Sequence, residues 1–447
     1  MKLFRPRVFR PGVLKIILIL AVPAIIALIF GLAKTAKISP LGTFLRQNSF
    51  ARGAAAVLAV ISEKINEKED AEINFVRPEI IKGVYLTGWS AGSRSRIDYL
   101  ISLAKTTQIN AVVIDIKDST GSVSYSANDE IAPKVKEYGA KNAVKIADID
   151  GLVKKLHKEG IYVIGRIVVF QDPILAFARP DVAVLSKSEL SLAGGNIQLL
   201  SPLFLWLDRS RLAWIDPASE ESWDYNIAIA KDALSRGFDE INFDYVRFPS
   251  DGDLKNMSFS HWNNLTPKHL VVKDFFRKTR EKLPEAILSV DLFGLSTVNH
   301  DDLGIGQVME DAFDYFDYIC PMVYPSHYAS GFLGYGNPAL YPYQVIKYSM
   351  SGAFARLKNY QLRQSSDIAA DVVAGNEEEP IKEERKVYFR PWLQDFNLGA
   401  VYGSGMVQLE TRAVIDSLGE DFKGFLLWNP RNIYTKDALL KELILQQ

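Results

Sequence analysis

The sequence predicts an α/β chain that closes into a (β/α)8 (TIM) barrel, preceded by an N-terminal transmembrane helix and a linker. Three observations carry this expectation. From residue 80 onward, eight apolar, strand-length runs alternate with helix-patterned segments, the rhythm of a parallel sheet covered on both faces. No glycine-rich phosphate turn lies between a strand and a helix, as the alternative architecture, an open doubly wound sheet with a dinucleotide site, would require. The long segments at 170–220, 250–266 and 325–341 all follow strands, and in a barrel they open on one rim, the carboxyl-terminal face.

Taken in order, the chain begins with Lys2, Arg5, Arg7 and Arg10 ahead of an apolar run at 13–33 whose one charge is Lys15. About 20 apolar residues cross a bilayer, and basic residues before the span keep the short end cytoplasmic and send the remainder outward. Gly31 and Ala33 would also suit cleavage of a signal peptide. The run exceeds the ~7 to ~15 residues of a signal core, which favours a retained membrane anchor. Residues 1–34 are therefore read as tail and anchor, 35–77 as a juxtamembrane linker, and 78–447 as the barrel. Within the linker an alanine-rich stretch at 51–61 gives way to Glu63, Lys64, Glu67, Lys68, Glu69 and Asp70.

The eight strands are expected at 82–88, 111–117, 162–169, 240–247, 287–293, 318–324, 387–394 and 424–429. Helices are expected between them at 93–107, 146–159, 221–236, 267–283, 306–313, 342–359 and 405–418, with a last one at 435–445. The mixed acidic and basic stretch at 365–386 precedes strand seven and reads as a solvated insertion on the opposite rim.

Composition narrows the function. With 447 residues, 48% of them hydrophobic, and a net charge of −1, the chain can bury a large core and has no basic stripe to hold a nucleic acid. Its one cysteine, Cys320, rules out an intrachain disulfide. Five scattered histidines make neither a zinc site nor another metal centre, so no cofactor is expected and a metal-dependent polysaccharide deacetylase is disfavoured.

The strand ends supply the candidate site. Residues 239–249 read Asp-Glu-Ile-Asn-Phe-Asp-Tyr-Val-Arg-Phe-Pro. Alternation places Asn242 and Asp244 on one face and Ile241, Phe243 and Tyr245 on the other. A carboxylate on a strand buried on both sides is costly unless it has partners or a task. Asp244 is accordingly the first catalytic candidate, with a structural pairing to Arg166 or Arg247 as the alternative. Asp291 shares its face with Ser289 and is the second. Asp115 is the third, although Lys117 falls on the same alternation and a local salt bridge would make it structural. Trp89, Asp118, Arg166, Arg247, Tyr324, His327, Trp392, Gln394, Trp428 and Asn429, at or just past strand ends, are candidate substrate-binding residues, with packing as the alternative for the two tryptophans. Carboxylates and aromatics on one rim suit a sugar. Rings stack on pyranose faces, and paired carboxyl groups supply the acid and the base or nucleophile that acetal cleavage needs.

These residues carry a resemblance. The segments KGVYLTGWSAGS (82–93), VVIDIKD (112–118), GRIV (165–168), WIDP (214–217), GFDEINFDYVRFP (237–249), SVDLFG (289–294), PMVYPSHY (321–328), RPWLQDF (390–396) and WNP (428–430) resemble the "putative glycoside hydrolase" domain family of bacteria and archaea, an uncharacterised branch of the (β/α)8 glycosidases. The likeness spans roughly 80–434. It implies hydrolysis of O-glycosidic bonds in a polysaccharide, and the outward-facing barrel expected from the anchor makes a cell-surface or secreted polysaccharide the expected substrate. The fourth strand also looks like that of the alpha-amylase superfamily, where the nucleophile ends the strand. The acid there is a Glu ending strand five, and this chain departs from that pattern with Asp291. A barrel that binds glycan without cleaving it, as an envelope scaffold, is the reading from another class.

Overall fold

The computed structural model describes residues 75–140, 144–192, 202–374 and 385–441. The apolar run at 13–33, residues 35–74 of the linker and residues 375–384 of the mixed acidic and basic stretch lie outside these. Among the described residues no helix is long and apolar enough to cross a membrane.

Eight parallel strand positions close into a barrel: β1 (Ile81–Leu86), β2 (Ala111–Lys117), β3 (Tyr162–Val168), β4 (Glu240–Asp244), β5 (Leu288–Phe293), β6 (Tyr318–Met322), β7 (Tyr388–Phe389 and Trp392–Gln394) and β8 (Gly424–Trp428). Each pairs with its sequence neighbour, and β8 returns to β1 with Ile81 opposite Gly424. All eight overlap the expected runs. Strand β7 is interrupted at Arg390 and Pro391, where proline has no N–H to give the ladder. Arg390 still donates to the Ile319 carbonyl, and the Pro391 carbonyl accepts from Leu426.

Outside the barrel lie α1 (Arg94–Thr106), α2 (Ile149–Lys158), α3 (Glu220–Ser235), α4 (Lys268–Lys282), α5 (Pro342–Ala374) and α6 (Ser404–Leu418). Two expected helices do not form as such. The stretch at 306–313 holds a single 3-10 turn, Met309–Ala312, because Leu303, Gly304 and Gly306 all take positive φ and break the approach. At the C-terminal end a 3-10 turn, Lys436–Ala438, replaces the helix expected from 435, and Leu440 then bridges to Thr107. Conversely, α5 runs on through Ala374, into the stretch read as a solvated insertion.

Alternation divides the strands between two cores. Outward residues such as Ile241 and Phe243 pack under the helices, Phe243 meeting Phe275 and Phe316 edge-on. Inward residues, among them Ile81, Val113, Ile164, Tyr162, Tyr318 and Leu426, fill the barrel. That interior also holds a fully buried ion pair between Glu240 and Arg390. Ser289 and Tyr162 donate to the Glu240 carboxylate, at 2.5 and 3.2 Å, and the Arg390 guanidinium lies 4.0 Å from the Tyr318 ring centroid.

Strand β2 contains an irregularity that the sequence pattern concealed. Asp115 pairs with Arg166 and Lys117 with Ile167, so one extra residue, Ile116, is accommodated between them. A bulge of this kind reverses alternation beyond it. Asp115 consequently points into the barrel, while Lys117 faces the helix layer, where its ammonium meets Asp172 at 2.5 Å and the Tyr225 ring of α3. The local Asp115–Lys117 salt bridge expected from spacing is replaced by two separate pairs.

Candidate active site

The upper interior of the barrel gathers three carboxylates around one guanidinium. Arg166, near the end of β3, donates from Nε and Nη2 to Asp244 Oδ2 at 3.1 and 2.5 Å and from Nη1 to Asp115 Oδ1 at 2.5 Å. Its Nε also lies 3.8 Å from Asp291 Oδ2. The acids come from three strands: β2 gives Asp115, β4 gives Asp244 and β5 gives Asp291. Because Oδ2 of Asp244 and Oδ2 of Asp291 stand 3.1 and 3.8 Å from the same nitrogen, they are at most about 6.9 Å apart. The alternation argument thus placed Asp244 and Asp291 on one interior face, and neighbouring strands bring them together.

Each acid is held differently. Asp244 Oδ1 accepts the backbone N–H of Tyr245 at 2.6 Å. Tyr245 adopts φ +54 to make this contact, a left-handed conformation that costs a non-glycine residue and recurs where a chain turns sharply into a functional loop. Asp115 receives the Tyr85 hydroxyl at 2.5 Å. Asp291 Oδ1 accepts from Trp392 Nε1 at 2.7 Å and Asn242 Nδ2 at 2.8 Å. Burial and then the Asp244 charge push the Asp291 carboxyl well above the usual carboxylate range, against the pull of Arg166, Asn242 and Trp392. Burial also raises Asp115, opposed by Arg166 and the Tyr85 hydroxyl. The Arg166 guanidinium is destabilised by burial, but the charges of Asp115 and Asp244 outweigh this and hold it more firmly protonated. Three acids against one cation leave surplus negative charge in a buried site, and a proton on Asp291 reduces it.

The opposite side of the same end is aromatic. Tyr324, Phe396 and Trp428 lie with ring centroids 4.9–5.9 Å apart, His327 joins Tyr324 at 5.3 Å, and Tyr85 bridges to Trp392 and Trp428 at 6.4 and 6.5 Å. Burial lowers the pKa of His327 from the ordinary imidazole value, so it is neutral at physiological pH. Trp392 serves both sides, as packing aromatic and as hydrogen-bond donor to Asp291.

The remaining candidates scatter around this centre. Trp89 stands on a short helix, Gly88–Ala91, with 63% of its surface exposed. Asp118 is engaged by Lys145 at 2.5 Å and by Thr120. Gln394 is a strap, accepting from the Ser326 backbone and donating to the Phe396 carbonyl. Asn429 fastens the turn after β8 by donating to the Asp395 carbonyl. Arg247 is buried among Trp214, Tyr245 and Phe293. Sequence reasoning passed over Tyr85, Glu240 and Arg390. The first two lay on the inward alternation of their strands, whereas no signal marked Arg390 beyond its position before a proline. Among the described residues no group of three His, Cys, Asp or Glu side chains is arranged to hold a metal ion.

The long loops after β3 and β4 are tied together over the rim by a two-stranded ladder, Leu185–Ser186 against Met257–Ser258. A separate open groove of about 880 Å3 lies along α5, lined by residues such as Tyr335, Tyr343 and Tyr348 and by none of the carboxylates.

A family model described as "Putative glycosyl hydrolase domain" matches residues 83–434. Among solved structures, a hypothetical protein from Ruminiclostridium thermocellum is 42% identical, the match covering 46% of this chain and 96% of that one with a TM-score of 0.39. The PgaB (BpsB) glycoside hydrolase domain from Bordetella bronchiseptica is 13% identical, with 81% and 99% covered and a TM-score of 0.52, a likeness of fold. No curated protein sequence matches the chain.

Proposed function

The chain belongs to the family that this model describes, and from that premise we propose that it is a membrane-tethered, extracytoplasmic glycosidase that cleaves a cell-surface or secreted polysaccharide. The observation supporting this reading is the pairing, at one end of the barrel, of a buried acid cluster with an aromatic wall. In the proposed reaction the Asp244 carboxylate attacks the anomeric carbon as the glycosidic C–O bond breaks, and the Asp291 proton passes to the leaving oxygen. Water then attacks the glycosyl-enzyme ester, giving its proton to Asp291 and restoring the Asp244 carboxylate. Arg166 holds Asp244 in place through two hydrogen bonds. The aromatic rings bind pyranose faces. A carboxyl separation of ~5 to ~5.5 Å accompanies retention of configuration and ~6.5 to ~9.5 Å inversion. The bound of about 6.9 Å between the two oxygens admits the retaining distance and excludes most of the inverting range.

One observation favours the scaffold reading. Arg166 occupies both Asp115 and Asp244, and all three acids are almost fully buried. Against it stands Asp291, which meets the guanidinium only at 3.8 Å and has its pKa raised, as a proton donor requires. Release of reducing ends from bacterial exopolysaccharides and wall glycans, lost in a folded Asp244→Asn protein, is the expected result. Binding of a glycan that is never cleaved would establish the scaffold instead. Fractionation, with protease added to intact cells, tests the location: the expected pattern is a membrane-bound chain that is cut from outside.

A further inference from the structure

Among the described residues, Arg247 is buried without a counter-charge. It is 8% exposed, three residues past Asp244 on the same rim. Its guanidinium carbon lies 4.8 Å from the Trp214 ring centroid, 4.9 Å from that of Tyr245 and 4.8 Å from that of Phe293. Nη1 donates to the Phe248 carbonyl and to Ser250 Oγ, both at 3.1 Å. Among the described residues, every other comparably buried cation meets a carboxylate: Lys117 with Asp172, Lys145 with Asp118, Arg356 with Glu310 and Arg390 with Glu240. Arg247 has none. Asp244, Asp251 and Asp208 reach it only through space; Asp244 is bound to Arg166, and Asp208 to Gln171 and Trp214.

Aromatic faces stabilise a guanidinium, but they leave its N–H donors unused. The Nε and Nη2 edge, which carries three of the five donors, has no protein acceptor among the described residues. Neither nitrogen is among the sealed, unpartnered polar atoms of the described residues, so this edge keeps contact with solvent. It is also the edge whose fork matches a planar carboxylate in two parallel bonds.

The geometry points to Arg247 as a specificity-determining residue that clamps the carboxylate of an acidic sugar in the glycan, a uronic acid unit next to the bond being cleaved. This inference rests on the glycosidase reading and names its substrate class. A monoanion is preferred over a phosphate dianion because the cluster of acids around the single Arg166 cation, even with a proton on Asp291, already makes the neighbourhood acidic, and each added negative charge is repelled. Neutral sugars would leave the fork unpaired.

The test is binding of oligoglucuronate and oligogalacturonate against size-matched neutral oligosaccharides. It uses the full-length chain in detergent carrying Asp244→Asn, and is read by calorimetry and by tryptophan fluorescence. The acidic oligomers are expected to bind roughly ten- to a hundredfold tighter, the range for a charge-assisted bidentate contact. Arg247→Gln should abolish that preference, bringing the ratio of acidic to neutral affinity to about one. Arg247→Lys, which keeps the charge and loses the fork, should forfeit most of it. Near-ultraviolet circular dichroism checks that both variants are folded. No acidic preference, an unchanged preference in the lysine variant, or tighter binding of phosphorylated than of uronate oligomers would overturn the assignment. The two readings fail separately. An acidic preference in a wild type that never cleaves sinks the glycosidase alone, and turnover of neutral glycan without acidic preference sinks this inference alone.

Discussion

Replacing Asp291 by asparagine should stabilise the protein while destroying its proposed activity. In the folded chain the Asp291 carboxyl is raised well above its ordinary value by burial and by Asp244; in the unfolded chain it titrates near ~3.9. Between those two pH values the folded state holds a proton that the unfolded state has released, so wild-type stability falls as pH rises through the window. Asparagine is the neutral isostere of the protonated acid. Its Oδ1 can still accept from Trp392 and Asn242, and its amide can donate towards Asp244. No titration penalty remains. The wild type should therefore lose about 1.4 kcal/mol per pH unit relative to Asp291→Asn inside the window. Below the unfolded value the difference should flatten. Urea unfolding followed by tryptophan fluorescence, in half-unit steps from acid to neutral pH, measures this directly. Parallel curves for the two proteins would mean that Asp291 is ionised when folded, and the assignment of the general acid would fail. In the same variant, turnover should fall by about 10²- to 10⁴-fold, the usual contribution of a positioned acid.

Other outcomes follow from the same contacts. Arg166→Met strands two buried carboxylates and should cost about 3–5 kcal/mol by chemical denaturation. Glu240→Gln leaves Arg390 as an unpaired charge within the barrel and should cost a similar ~3–5 kcal/mol, whereas Glu240→Gln with Arg390→Met should cost less than the sum of the single changes. Proton NMR of the first product released should show the anomeric configuration of the substrate retained; an inverted product would require a water between the carboxyls and would remove Asp244 as nucleophile.

The barrel was legible in the sequence because its strands are short apolar runs bounded by turns and its helices carry amphipathic spacing. Where the reading failed, local chemistry had been overruled by its surroundings. Residues 306–313 have helix-favouring side chains, yet the left-handed positions at Leu303, Gly304 and Gly306 leave room for one tight turn. In the site, period-two alternation was enough to put Asn242, Asp244, Ser289 and Asp291 on interior faces. It could not reveal that Arg166 contacts acids on three strands, since those contacts depend on register around a closed sheet. Nor could it find the Glu240–Arg390 pair, whose members are 150 positions apart.

The bulge at Ile116 sets the electrical balance of the site. Had β2 run regularly, Lys117 would share the barrel lumen with Asp115, and two cations would face three acids. The surplus would shrink, and with it the reason for Asp291 to keep its proton. By turning Lys117 outward to Asp172, one extra backbone unit leaves the lumen short of positive charge. A regular β2, in which Ile116 took an ordinary place in the ladder, would rewire that circuit, with Lys117 discharging Asp115 and the acid at β5 free to ionise.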